Sequence, residues 1–576
     1  MADAEICVGT LDDLESKGVV VVSAEGRTIA VFAHEGGVYA VDNRCPHMGF
    51  PLDRGSVADG ILTCHWHQAR FDLRSGCTFD LWADDVQRVE TRVEDGVVYV
   101  SSRPTLAFDT DYHRARLRRG MEQNVALVQA KSLLSLLEES VDLGAIINDV
   151  VDYASPNLRN FGEGLVRLGC VANLYPHLES ETAYQALVYA IRRIAEETDV
   201  SMPRRERQPL QSDNHDSDQL VDWLQRWILT RHRDGAERTL LTARRQFTPR
   251  AYADLLFGGA SVRPYASGGH LLDACNKSFE LVERLGWERG DEIFPLIVEA
   301  LVGSTGEEEA THWQHPIDIV APLREIEQSL PERMRKARQT ESGAEDLTPV
   351  LLGDDPLAIL NELSNSISAG VAPDLLARQV AYAAALRLAR FALSNEVTDW
   401  FGPQHVFIYT NAVHQAVRRS PTPNVVRAIF HGAIAVYQDR FLNVPPAPLP
   451  DEQCGDALPD DARQIRKALL DRLDQRGQVE PAAQLVSHYA RLGHPLKDMI
   501  DTLTFATVRE DLDFHSLQVL EAGVCQYQEW EGQPEAVHIL IGVTRNLAAH
   551  CPTRRAGQQT ATIALRLHRG ERIYEG

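Results

Sequence analysis

Four side chains near the start of the chain have the types and spacing of a metal centre: Cys45 and His47 in CPH, and Cys64 and His67 in CHWH. Each short segment supplies one thiolate and one imidazole. Two thiolates on one iron and two neutral imidazoles on the other describe a [2Fe–2S] centre of mixed ligation. Its potential lies at about -150 to +300 mV, above that of an all-cysteine cluster, because neutral imidazole disfavours the reduced state less than anionic thiolate does. A structural zinc is the alternative, but zinc sites usually pair their ligands as C-x-x-C and H-x-x-x-H, whereas each pair here mixes cysteine with histidine. The nine cysteines, an odd number scattered along an acidic chain, do not form the pattern of a secreted disulfide framework. Cys77, in RSGCTF, is a spare thiol.

The elements around these ligands are short strands. VVVVSAEG, TIAVFAHEGGVYAVDN, ILTCHWHQARFDL and TRVEDGVVYV are β-branched or aromatic runs separated by Gly, Asp and Asn turns, so residues 1–103 are expected to form a small all-β domain. Within it, CPHMGFPLDRGSVADGILTCHWHQARFDLRSGCTF resembles the cluster-binding loops of Rieske proteins, and the flanking strands resemble a ferredoxin-type Rieske domain. The resemblance covers about the first hundred residues. It implies that Cys45 and Cys64 hold the buried iron, while His47 and His67 hold the outer iron near the surface and pass electrons to a docked partner. Rieske proteins of respiratory complexes carry an extra cysteine in each loop, joined as a disulfide; Phe50 and Trp66 stand at those places here, and Gln68 follows the second histidine. The domain therefore resembles the lower-potential ferredoxin and oxygenase subclass, which implies an external reductase or ferredoxin as electron donor.

After Pro104 the pattern changes to Ala, Leu, Arg and Glu with apolar residues three and four apart, the period of helices. The expected organisation is a linker at 104–116 and an all-α, helical-repeat-like domain at 117–576. Polar breaks from Ser201, Thr340 and Asn443 divide it into blocks 117–200, 217–338, 355–442 and 460–570. The blocks look alike: His270 precedes Asn276 by six positions, His405 precedes Asn411 by six, and His515 precedes Glu521 by six, while the first block, with NFGEGLVRLGCVANL, has no such histidine. Equivalent positions in stacked helix pairs face one interior surface. His270, His405 and His515 are thus expected to converge on a second metal or a substrate pocket, with Asp273 or Glu521 as the carboxylate that a two-histidine non-haem iron site wants. The competing reading is that these histidines are hydrogen-bonding core residues or helix caps, and a third is haem, with His270 or His405 as axial ligand. Weaker candidates are Glu308, His312 and His315, on one stripe that Pro316 interrupts by biasing His315 out of the α conformation, and His431 on a neighbouring helix. His405 and His414 lie nine residues apart, about 180° around a helix, so they cannot share a metal.

Composition narrows the function. With 58 Lys+Arg against 82 Asp+Glu the net charge is -24, which repels nucleic acid and anionic membrane surfaces. No run of about 18–20 apolar residues is present and the first residues lack a secretory pattern, so a soluble, cytoplasmic protein is expected. There is no G-x-G-x-x-G between a strand and a helix, which assigns flavin and nicotinamide to a separate reductase. The D/E-x-x-H-x-x-x-x-H pattern of ring-hydroxylating oxygenases is absent, since no two histidines have four residues between them. The economical reading is an oxidoreductase whose cluster feeds a site in the helical domain, activating dioxygen at a non-haem iron on a small organic substrate. The alternative is an electron-transfer or redox-sensor protein whose helical array binds a partner and has no catalytic metal. Oligomeric state is not legible in this sequence.

Overall fold

The structure is a computed structural model that describes residues 5–571 and 573, apart from 25, 106–107, 203, 212–214, 338–345 and 451–457. The breaks expected at Ser201, Thr340 and Asn443 lie partly outside the described residues. The chain divides into two compact units, Met1–Asp149 with Gln559–Gly576, and Val150–Gln558.

The first unit begins with strands β1 (Glu5–Thr10), β2 (Val19–Ala24), β3 (Arg27–His34) and β4 (Gly37–Asp42), with a short helix α1 (Leu11–Lys17) after β1. Three short strands, β5 (Ser56–Ala58), β6 (Ile61–Thr63) and β7 (Arg70–Asp72), precede the closing hairpin β8 (Arg88–Glu94) and β9 (Val97–Pro104). They form a six-stranded sheet in the order β1-β9-β8-β4-β3-β2 and a three-stranded sheet β5-β6-β7, all antiparallel. Alternation in β9 buries Val98 and Val100 and turns their neighbours outward, as expected of a half-buried strand. A second apolar cluster, including Leu52, Leu62, Phe71 and Val86, packs around Cys45 and Cys64. Helices α2 (Thr110–Glu122) and α3 (Ala126–Glu138) follow and pack on each other. α2 is started by Asp109, whose carboxylate accepts the Tyr112 N–H at 2.9 Å.

The second unit is helical. Its centre is a ring of four helices, Glu163–Leu174, His270–Leu285, Phe401–Arg419 and Phe514–Glu529, each packed on the next and the last on the first. Each is buried on most of its circumference, and outer helices such as Pro373–Ala389 and Pro534–His550, both begun by proline at the first turn, cover the ring. Among the described residues no helix is long and apolar enough to cross a membrane.

Candidate metal centres

The two ligand loops of the β domain are copies of one turn. The first leaves β4 and the second joins β6 to β7. Cys45 N–H donates to Phe50 O and Cys64 N–H to Ala69 O, both at 2.8 Å, while Gly49 N–H returns to Cys45 O at 2.7 Å and Gln68 N–H to Cys64 O at 3.0 Å. Gly49 and Gln68 adopt left-handed conformations, φ 81° and 63°, that let each loop reverse. The thiols are 2% and 1% exposed and share a hydrogen bond. The Cys45 S–H donates to Cys64 and holds it towards the thiolate, aided by the N–H groups of Trp66 and His67 against the opposing effect of burial. The same bond and burial keep Cys45 protonated.

Above the thiols, the rings of His47 and His67 meet edge to face at 4.9 Å. Trp82 lies 4.6 Å from His47 and Trp66 4.3 Å from His67, while Phe50 and Trp66, at the places of the missing disulfide, pack 6.0 Å apart. His67 is exposed. Burial, with the charge of Lys131 and His67, lowers His47 to about 4 despite Asp84, so its imidazole is neutral at neutral pH. His47 Nδ1 is buried with no hydrogen-bond partner among the described residues. Two buried sulfurs beneath two imidazoles, one with an unsatisfied ring nitrogen, fit the donor set of a [2Fe–2S] cluster held by two cysteines and two histidines. Lys131 of α3 donates to the carbonyls of Pro46 and His47, the latter at 2.7 Å, and lies 3.6 Å from Asp84. A cavity of about 310 Å³ adjoins this loop, lined by Cys45, Pro46, Asp84, Tyr112, Arg116 and Lys131 among others.

In the helical unit, His270, His405 and His515 come together at the N-terminal ends of three ring helices. Each offers a ring nitrogen, and the three nitrogens lie within 4.8 Å of one another. The ring centroids are 4.6, 4.9 and 4.6 Å apart for the pairs 270–405, 270–515 and 405–515. Three successive left-handed residues, Ser267, Gly268 and Gly269, turn the chain into the His270 helix. Gly269 has φ 89°, and a Cβ there would fall 2.9 Å from Tyr409 Cβ, so glycine is what lets this helix start against the His405 helix. Asp513, the N-cap of the His515 helix, places a carboxylate oxygen 3.0 Å from His515 Nδ1. Burial, reinforced by charge on His515, lowers His270 to about 4. Burial together with His270 and His515 lowers His405 to about 3. Both are neutral and free to ligate. The Nε2 atoms of His405 and His515 are buried with no hydrogen-bond partner among the described residues. Three ring nitrogens this close, carried by three separate helices, are a donor set that could hold one metal ion.

The carboxylates named with these histidines lie elsewhere. Asp273 is 1% exposed and accepts a hydrogen bond from Gln518. Glu521 lies 2.7 Å from Lys277 Nζ and accepts from Asn173 Nδ2 at 2.8 Å. Three and six residues beyond the histidines place them about 4.5 and 9 Å deeper along the helices. Glu308 pairs with Arg263 at 2.8 Å, His312 lies 3.6 Å from Glu307, and His315 adopts an extended conformation, so that trio does not form a site. His431 is fully buried and bonds Glu327 at 2.9 Å through Nε2. His414 meets Gln526 at 3.0 Å, away from the three histidines. Sequence reasoning missed Asp513, whose only signal is a capping Asp two residues before a histidine. It also missed Lys277 and Glu280, whose i, i+3 spacing is that of an ordinary solvated pair.

A small antiparallel β domain presenting two matched loops, each with one cysteine and one histidine at its turn, is the architecture of a Rieske domain. Residues 4–89 match the family model of the Rieske [2Fe-2S] domain, and no family model matches the rest of the chain. The ferredoxin component of a naphthalene 1,2-dioxygenase system of Pseudomonas aeruginosa is 32% identical over 76 residues, 13% of this chain and 73% of that protein. A human Rieske domain-containing protein is 31% identical over 77 residues, 13% of this chain and 49% of that protein. The ferredoxin component of naphthalene 1,2-dioxygenase/salicylate 5-hydroxylase systems of Ralstonia sp is 38% identical over 66 residues, 12% of this chain and 64% of that protein. The chain thus spans 49% and 64% of the length of the human and Ralstonia relatives. Among solved structures, the ferredoxin of carbazole 1,9a-dioxygenase from Nocardioides aromaticivorans is similar at 26% identity and a TM-score of 0.17, covering 17% of this chain and 99% of that one. Through its N-terminal domain the chain belongs to the Rieske [2Fe-2S] family, and that domain implies a [2Fe–2S] cluster and Rieske electron transfer.

Proposed function

We propose that the chain is a Rieske-coupled oxygenase in which His270, His405 and His515 hold a non-haem iron that acts on a small organic substrate. The observation that carries this reading is the convergence of three imidazoles, two with unsatisfied ring nitrogens, from three separate helices. When bound, the cluster relays single electrons and the iron activates dioxygen. The chain's own residues do the rest. Asp513 orients the His515 ring and makes it a better donor, as carboxylates behind metal-bound histidines do. The rings of Phe401, 6.2 Å from His405, and Phe514, 6.2 Å from His270, shield the group from water.

The four ring helices occupy corresponding positions in the four sequence blocks, which supports the quasi-repeat. Of the four ring helices only Glu163–Leu174 brings no histidine to this group, so His270, His405 and His515 are the three side chains that would hold the iron. Joining cluster and helical unit in one chain gives intramolecular transfer a high effective concentration. A separate reductase or ferredoxin supplies the electrons. Cys7 and Cys77, both exposed and free, suit the reducing cytoplasm.

Iron and acid-labile sulfide per chain, measured on anaerobically prepared protein with EPR of the reduced state, test the reading. More iron than the cluster's two atoms, lost on replacing His270, His405 or His515, is the expected result. About two irons per chain with a Rieske signal alone would overturn it.

A further inference from the structure

Below the three histidines, the interior of the ring carries charge that metal binding does not use. Lys277 is fully buried, with Nζ 2.7 Å from Glu521 Oε2 and 3.0 Å from Glu280 Oε2. Asn173, from the Glu163–Leu174 helix, donates to both carboxylates at 2.8 Å, and Asn276 donates to Glu280 Oε1 at 2.8 Å. Asp273 lies one turn above Lys277, about 6 Å along the axis, and accepts from Gln518, whose own Oε1 is buried with no partner among the described residues. Asp273 and Gln518 each follow a histidine of the upper group by three residues, so along their helices they lie between the histidines and the Lys277 level. At the opposite end, a cavity of about 490 Å³ reaches the cluster, lined by Asn173, Glu280, Glu283, Arg419, Glu521 and Gln528 among others. Glu283 is 48% exposed there.

We propose that the Lys277–Glu280–Glu521 cluster stores a proton taken from solvent through this cavity and passes it along Asp273 and Gln518 to the three-histidine centre. The proposal rests on the reading of that centre as an oxygenase iron site. Charge counting motivates it. Three carboxyl groups, Asp273, Glu280 and Glu521, surround one ammonium, and Arg419, which donates to Asn276 at 2.8 Å, is already paired with Glu283 at 2.7 Å. Arg419 offsets part of the charge on the partly buried Glu280, and the two buried carboxyl groups, Asp273 and Glu521, share the one buried ammonium, so one of them carries a proton at neutral pH. Glu521 is that group. Its Oε2 meets one cation, Lys277 at 2.7 Å, which opposes protonation, whereas Glu280 is held down by both Lys277 and Arg419. Burial raises Glu521, with the charges of Glu280 and Asp273 acting in the same direction and Lys277 opposing. Glu280 stays ionised, because Lys277 and Arg419 outweigh its burial. Among the described residues the thiols of Cys170, Cys525 and, beside Asp273, Cys275 also face these groups, and burial keeps them neutral.

The reaction needs such a supply. In monooxygenation, RH + O2 + 2 e⁻ + 2 H⁺ gives ROH and H2O: the external reductase provides electrons through the cluster, and the protons must come from water through the protein. Lys277 and the two carboxylates are positioning and relay groups that act about 9–15 Å along the helix axes from the metal ligands.

Infrared difference spectroscopy of the full-length, cluster-loaded and iron-loaded protein in H2O and D2O reads the stored proton. A carboxylic-acid C=O band at neutral pH that shifts in D2O and vanishes in Glu521→Gln is expected; a wild type without that band overturns the proposal. Stopped-flow mixing of the anaerobically reduced protein with oxygenated buffer reads the transfer as cluster reoxidation. Glu521→Gln should slow it about tenfold or more, enlarge the solvent isotope effect, leave iron content and EPR unchanged, and recover rate with added small weak acids. Lys277→Met is the second variant, expected to slow reoxidation and enlarge the solvent isotope effect likewise, with iron content unchanged. Wild-type rate and isotope effect in Glu521→Gln would overturn the relay while leaving the iron site standing. A wild type that takes up no metal at the histidines would overturn the oxygenase reading, and the relay with it.

Discussion

His405→Ala isolates the metal-binding role of the three histidines from their packing role. His405 Nε2 is buried without a partner among the described residues, so removing the ring abolishes no hydrogen bond seen there, and loss of an unsatisfied polar group partly offsets the cavity left behind. The metal-free variant should therefore stay within about 1–2 kcal/mol of wild type. The metal-dependent part behaves differently. Free metal at 100 times its dissociation constant stabilises the folded protein by about 2.7 kcal/mol. Removing one of three ligands weakens binding by about 100-fold or more, the upper end of what even outer partners cost, and leaves about 0.4 kcal/mol. The unit Val150–Gln558 has about 410 residues, and at about 2.1 cal/mol/K per residue its unfolding entropy is about 0.9 kcal/mol/K. Metal should then raise the Tm of that unit by about 3 °C in wild type and by less than about 0.5 °C in the variant. Calorimetry with and without Co(II) or anaerobic Fe(II) measures this, and Co(II) absorbance reports ligation directly. An undiminished metal-induced shift in His405→Ala would refute the assignment of these imidazoles as ligands.

Four further outcomes are expected. His67→Cys should move the cluster towards the all-cysteine type, with a potential nearer about -400 mV and loss of the Rieske EPR signature; an unchanged spectrum would mean the ligands are misassigned. Lys131→Met removes a cation that donates to the Pro46 and His47 carbonyls, so it should lower the cluster potential, by about 59 mV for a tenfold change in the one-electron equilibrium, in a redox titration with an intact signal. Gly269→Ala forces a Cβ against Tyr409 and strains a left-handed residue, which should cost about 1–3 kcal/mol in chemical denaturation and weaken metal uptake by shifting His270. His414 is lowered to about 4, chiefly by burial and then by Arg418, so the unfolded chain takes up its proton near pH 6.5 while the folded chain does not. Its contribution is therefore fully present above about pH 6.5 and up to about 3 kcal/mol is lost as pH falls towards 4; His414→Gln should flatten that part of the denaturation profile.

The candidate Rieske ligands stood out in the sequence because their geometry is local. Each cysteine lies within three residues of its histidine, and each loop is reversed by its own backbone bonds and one left-handed residue, so spacing alone carries the chemistry. The change from strands to helices was legible for the same reason, since periods of two and of three to four residues are properties of the chain itself; β9 ends at Pro104 and α2 begins at Thr110. His270, His405 and His515 stood out by a recurring six-residue interval to Asn or Glu, a register that survives from block to block.

What surrounds those histidines was decided by tertiary structure. The interval that singled out Glu521, and the proximity in sequence that suggested Asp273, place both carboxyls on the same helix faces as the histidines but deeper, at about 1.5 Å per residue, where they meet Lys277 and Gln518 instead of a metal. Asp513 became the histidine's partner because it caps the helix that His515 begins. Lys277 reads in sequence as a solvated charge and is fully enclosed, because closure of a four-helix ring turns inward a face that a single amphipathic helix would leave to water. Periodicity specifies which residues share a face; only the packing of all four helices determines whether that face meets solvent, a metal, or another charge.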